Sequence, residues 1–185
     1  MKHPSNRDFF AYWDERRGFE RAPDRSEIEP SALRELLGDI FVLSCDAEAG
    51  FPFRMAGTRL CALLGGDVKN QSFPAHFAAP ARGEIEEIVT VVCEEMLPAV
   101  VGVKASSPDG ATAHLELLLL PFNTRAHEPI SLTGLLAPFG QMQGPLGPLE
   151  IVSWRYMHRP PERMVPRALR KLALARGLMV YEGLR

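Results

Sequence analysis

Ala99-Val100-Val101-Gly102-Val103-Lys104-Ala105-Ser106, Ala113-His114-Leu115-Glu116-Leu117-Leu118-Leu119-Leu120-Pro121-Phe122 and Ile130-Ser131-Leu132-Thr133-Gly134-Leu135-Leu136-Ala137-Pro138 are the stretches that decide the fold. Each is a run of strand length, apolar and bounded by breakers. Ser107-Pro108-Asp109-Gly110 is a strong turn signal between the first two, and Asn123–Pro129 is the loop before the third. Strands joined this closely pair antiparallel. With Lys104 facing water, alternation turns Val101, Val103 and Ala105 inward. With Glu116 facing water, Leu115, Leu117 and Leu119 line the same interior. On the third strand Ile130, Leu132, Gly134 and Leu136 form the more apolar set.

Outward from these strands, Ala81–Met96 predicts a helix with Ile85, Ile88, Val89 and Val92 at core spacing and a Glu-rich outer face, ended by Pro98. Upstream, Ile40–Cys45 and Phe51–Met55 flank the turn Asp46–Gly50 and read as a hairpin. Thr58–Leu64 predicts a short helix closed by Gly65-Gly66. Asp8–Arg17 is an aromatic-rich helix, and a second helix starts at Pro30-Ser31 and stops at Gly38. Downstream, Gln141–Pro148 is a Gly/Pro linker into a basic tail with a last helix from Pro166 to Arg176. The division is a helical extension over 1–38, a core over 39–140, and linker plus tail over 141–185. The fold class is α+β: a five-stranded antiparallel sheet with helices on one face.

Two strands, small helices, one long helix and three strands is the connectivity of a PAS domain. Phe53-Arg54-Met55-Ala56-Gly57-Thr58-Arg59-Leu60-Cys61-Ala62-Leu63-Leu64-Gly65 resembles the PAS stretch in which a strand gives way to a helix with a spaced leucine and closing glycine. Phe10-Ala11-Tyr12-Trp13-Asp14-Glu15-Arg16-Arg17, Ala22-Pro23-Asp24-Arg25, Ile28-Glu29-Pro30, Leu118-Leu119-Leu120-Pro121 and Arg167-Ala168-Leu169-Arg170-Lys171-Leu172 are similar to a family of stand-alone bacterial PAS proteins common in alphaproteobacteria. The resemblance implies a PAS-like fold and a sensory module that binds a small ligand or a signalling partner protein. Such a module acts in trans without its own output domain, and the resemblance implies no reaction. In flavin-binding relatives an adduct-forming cysteine follows the small helices. Lys69-Asn70-Gln71-Ser72-Phe73 stands there without one, so flavin adduct chemistry is not expected. Haem-binding relatives use a histidine near the long helix, which leaves His76 as the single haem candidate.

A concave apolar space between sheet and helices suits a small molecule. The pocket candidates are Cys61, His76, Val101, Val103, Leu117, Leu119, Leu132 and Gly134; the alternative is that these residues simply pack the core. Phe9, Phe10, Tyr12 and Trp13 are candidates for a homodimer interface, because aromatic anchors dominate such contacts. Alternatively they cover this chain's own sheet. Residues 1–150 carry 13 basic and 21 acidic side chains, and residues 151–185 eight basic and two acidic. Arg155, Arg159, Arg163, Arg167, Arg170, Lys171 and Arg176 are therefore candidates to meet nucleic acid, an anionic lipid surface or an acidic partner; alternatively they dock on the chain's own acidic body or are simply solvated.

Other chemistries lack residues at the required spacing. There is no GxSxG, P-loop, GxGxxG, HExxH or CxxC, and His3, His76, His114, His127 and His158 are isolated from one another. Catalytic and metal residues are accordingly not assigned. With 46% hydrophobic and 24% charged residues over 185 positions, the chain can bury a core without staples. Cys45, Cys61 and Cys93 are odd in number and far apart, which argues for a reducing, cytoplasmic compartment without a disulfide framework and against a structural zinc site. No apolar run approaches the roughly 20 residues that span a membrane.

Overall fold

The computed structural model describes residues 1–123, 130–142 and 144–157, and the backbone alone of 169–175 and 178–183. Its elements run α1 (Pro4–Arg17), β1 (Ile40–Ser44), β2 (Phe53–Ala56), α2 (Thr58–Leu64), α3 (Arg82–Glu95), β3 (Ala99–Ser106), β4 (Thr112–Pro121), β5 (Ser131–Pro138) and β6 (Glu150–Tyr156). Single 3₁₀ turns at Arg25–Glu27, Pro30–Leu33, Pro74–His76 and Ala79–Ala81 connect them. The helix expected from Pro30 is thus one tight turn, continued to Gly38 by turns such as Leu37 N–H to Leu33 O at 3.0 Å.

β3, β4 and β5 form the antiparallel meander that the alternating runs require, with Val101 opposite Leu117 and Leu119 opposite Gly134. β1 adds beside β5 and β2 closes that edge. The sheet has six strands in the order β2-β1-β5-β4-β3-β6, not five. The sixth, β6, pairs antiparallel with β3 from Ala99↔Tyr156 to Lys104↔Glu150. Its Ile151, Val152, Trp154 and Tyr156 are strand formers, and the basic composition downstream masks them.

The core helices lie on one face of the sheet, as expected, and the N-terminal helix covers the other. α2 and α3 pack on the inner face with Val101, Val103, Leu115, Leu117 and Leu119. α1 packs on the outer face, where Phe9 and Trp13 meet Leu118, Leu120, Leu135 and Ala137. This explains the unbroken Leu117–Leu120 run: alternate leucines serve two different layers. Glu116 shares the outer face and lies under α1 instead of in water, 6% exposed.

Cys45 and Cys93 form a disulfide from the end of β1 to the last turn of α3, with Cα atoms 6.0 Å apart and a sequence separation of 48. Cys61 alone is a free thiol. The expectation of a chain without disulfides fails because fold topology, not spacing, brings those two together. With it goes the cysteine argument for a reducing compartment.

In the tail, β7 (Leu169–Ala175) and β8 (Leu178–Gly183) form a two-stranded antiparallel ribbon where a helix was expected. The helical stripe left out of account the β-prone run Leu178-Met179-Val180-Tyr181, close enough to pair back. Pro166, Arg167 and Arg176 of that predicted helix, with residues 124–129 and 143 of the predicted loop and linker, lie outside the described residues. Among the described residues no helix is long and apolar enough to cross a membrane.

Candidate functional site

The inner wall of the sheet and α3 face each other across the main core. Val101, Leu119 and Leu132 are fully buried there, and Val103 and Leu117 nearly so. α3 turns Ile85, Ile88, Val89 and Val92 to this wall and its glutamates to water, as the 3.6-residue repeat dictates. Four rings occupy the β1–β2 end: Phe41 lies 5.6 Å from Phe53 and 5.5 Å from Phe73, and Phe73 is 5.4 Å from Phe77. The arrangements are edge-on or offset, as ring quadrupoles favour. The space is thus filled by the chain's own aromatic side chains.

Gly134 serves this filling. A Cβ there would lie 2.3 Å from Phe41 Cζ and 2.8 Å from the Leu118 carbonyl oxygen. The missing side chain makes room for the Phe41 ring, so Gly134 is a packing position. Cys61 is half-buried on α2, its Sγ 3.9 Å from Ala56 O, a weak thiol contact at the rim. His76 ends the 3₁₀ turn Pro74–His76 with its ring edge-on to Phe53 at 5.6 Å. Its Nε2 is buried without a hydrogen-bond partner. Burial pushes the imidazole below its ordinary range and keeps it neutral. The structure therefore gathers Val101, Val103, Leu117, Leu119 and Leu132 on one wall, with His76 and Cys61 at its margins.

The α1 aromatics divide differently. Phe9 and Trp13 are fully buried in their own chain, and Trp13 Nε1 donates to Pro121 O at 3.0 Å. Phe10 stacks on Trp13 at 6.0 Å, while the Tyr12 hydroxyl accepts from Glu29 N–H at 2.9 Å. These residues anchor α1 and the following loop to their own sheet. Phe9 and Trp13 offer no surface to a second copy. In the basic segment, Arg155 is exposed on β6, and Arg170 and Lys171 lie in β7. Arg159 and Arg163, like Arg167 and Arg176, lie outside the described residues.

Two polar features went unread in the sequence. The Glu116 carboxylate accepts from Lys2 N–H at 2.7 Å, His3 N–H at 3.0 Å and Asn6 Nδ2 at 3.1 Å, fastening the start of α1 to β4. Burial alone would raise this carboxyl, but those donors outweigh it and hold it below its ordinary value. A glutamate within an otherwise apolar run was the available signal. At the opposite edge, Trp154 Nε1 donates to Glu84 Oε1 at 2.6 Å and ties β6 to α3. Burial, then the nearby Glu95 and Glu87, raise the Tyr156 hydroxyl.

The clefts open elsewhere. One of about 360 Å³ lies on the outer face beside Val100, Val152 and Phe139. Another of about 550 Å³ lies at the end of α3. A third of about 280 Å³ flanks α2, where Arg59 forms a two-point ion pair with Asp39 at 2.7 and 2.9 Å.

No curated protein matches the chain. Among solved structures it is similar to the PAS domain of an HTR-like protein from Haloarcula marismortui, at 23% identity and TM-score 0.42 over 59% of this chain and 90% of that one. It is also similar to the PAS domain of Bordetella pertussis BvgS, at 16% identity and TM-score 0.44 over 60% and 86% of the two chains. Vibrio cholerae VqmA matches at 16% identity and TM-score 0.43, over 60% of this chain and 51% of that one. The PAS domain family itself matches residues 1–137, and the chain belongs to it.

Proposed function

We propose that this PAS domain is a non-enzymatic sensory module that takes a small apolar ligand between the inner sheet face and α3 and reports it to a partner protein. One observation carries the reading: the wall formed by Val101, Val103, Leu117, Leu119 and Leu132 faces α3 without a charged group, and its margin holds one neutral, unpartnered imidazole nitrogen. Such a wall with one polar handle suits a largely apolar molecule that carries a single hydrogen-bonding group. Because Phe41, Phe53, Phe73 and Phe77 fill the space, entry requires these rings to turn. Ligand and partner then select between two packings of the same core. The test is native mass spectrometry of freshly purified protein, with and without Val103→Trp. A retained small molecule that disappears in the variant supports the reading; protein that emerges bare and gains no mass from an apolar ligand library refutes it. Circular dichroism must show the variant folded, since overpacking costs roughly 1–3 kcal/mol.

The charge asymmetry supports a second reading, a small nucleic-acid-binding regulator that uses residues 158–185. The shift of a DNA duplex should then weaken with salt and vanish in a chain ending at Met157. No binding at low salt removes this reading.

A further inference from the structure

The last turn of α3 is poorly supported by its own sequence. Glu94 and Glu95 stand there with no basic side chain, at the helix end where unpaired carbonyls already concentrate negative potential. The helix closes at Met96 with φ 56°, a left-handed conformation usually left to Gly. Ile85, Ile88, Val89 and Val92 hold the preceding turns to the sheet, but beyond Val92 the one buried side chain of the helix is Cys93. Its anchor is covalent: the disulfide to Cys45, just past β1. Cys93 is 6% exposed and Cys45 is half-buried, so Cys45 is the more approachable partner. The same turn builds one side of the 550 Å³ cleft, whose other residues include Arg17 and Arg21 beside Phe19, Leu97 and Met157.

We propose that the Cys45–Cys93 disulfide is a thiol-exchange site at which a dithiol reductant releases the last turn of α3 and remakes the cleft beside it. That a partner reads this change rests on the sensory function proposed above. In the exchange a reductant thiolate attacks Cys45 Sγ, forms a mixed disulfide and expels Cys93 as a thiolate, which takes up a proton. The reductant's second thiol loses its proton and attacks its own sulfur in the mixed disulfide. Cys45 leaves as a thiolate and is protonated. Two electrons have passed to the protein, and the reductant departs as a disulfide. Once freed, the Glu94–Glu95 turn, which has no basic side chain of its own to offset the helix end, frays, while the turns up to Val92 keep their apolar hold.

The experiment uses the full chain and dithiothreitol as the dithiol. Alkylation after denaturation should find one thiol before reduction and all three cysteines after it. Amide hydrogen exchange at residues 91–97 should accelerate at least about tenfold on reduction, with protection in β3, β4 and β5 retained. The E94Q/E95Q variant, stripped of these charges, should show a smaller acceleration. Three free thiols in the untreated protein would overturn the proposal. So would unchanged exchange at 91–97, loss of protection across the whole sheet, or an undiminished acceleration in E94Q/E95Q. No ligand enters these measurements, so their failure leaves the ligand-binding reading standing.

Discussion

His76 and Glu116 show how two titratable side chains can be buried with opposite results. Glu116 meets three donors and is held ionised; His76 has a buried nitrogen with none and is held neutral. For His76 the folded-state pKa lies below the unfolded value near 6.5. As pH falls through 6.5 the unfolded chain therefore takes up a proton before the folded one does. The stability tied to the neutral ring is complete above that pH and is lost as pH drops toward the folded pKa. Replacing His76 with Leu should flatten the stability slope between pH 6.5 and 5, measured by urea unfolding at several pH values, and should change neutral-pH stability far less. An equal slope in both proteins would show that His76 does not contribute to it. Neither environment was read beforehand. The alternation that put Glu116 on the face opposite Leu115 and Leu117 was correct, but that face was expected in water and lies under α1.

At the level of elements, β1 and β5 depend on an absent side chain. Phe41 lies opposite Gly134 in the register, and its ring occupies the volume a Cβ would take. Gly134→Ala should destabilise the domain by about 1–3 kcal/mol through overpacking. Combining it with Phe41→Leu should cost less than the sum of the two single changes, a coupling of at least about 0.5 kcal/mol by chemical denaturation. Relief stays incomplete because the Leu118 carbonyl also crowds the site. Strict additivity would mean that the glycine serves backbone freedom instead of the ring. The extents of β3, β5, α2 and α3 were readable from periodicity and breakers, since each has an apolar stripe ended by Gly, Pro or a polar turn. β6 was not, because all its residues are exposed or half-buried and its apolar side chains, with Ile151 next to Val152, do not keep a two-residue repeat. The aromatics of α1 were weighed between a homodimer interface and the chain's own sheet. The four-leucine run of β4 held that answer, since a strand apolar on both sides needs cover on both sides.

For the molecule as a whole, the boundary between core and tail falls later than composition places it. The basic segment and the sheet overlap in β6, so a cut after Gly147 removes a strand as well as charge. Leu149, 2% exposed, bridges to Phe77 and exchanges hydrogen bonds with His76 and Ala78, while Trp154 holds Glu84 of α3. Losing Leu149 alone uncovers apolar area worth about 2 kcal/mol, and the β3 edge then stands open to other strands. A chain ending at Met157 keeps all of this. It should melt within a few degrees of the full chain by calorimetry, with a two-state transition. A chain ending at Gly147 should unfold at least about 2 kcal/mol more easily and should self-associate through its exposed β3 edge, detectable by light scattering. Equal stability of the two truncations would mean that β6 is an ornament on a five-stranded domain. A large loss on cutting at Met157 would instead make the β7–β8 ribbon part of the folding unit, and any DNA test built on that cut would measure unfolding rather than charge.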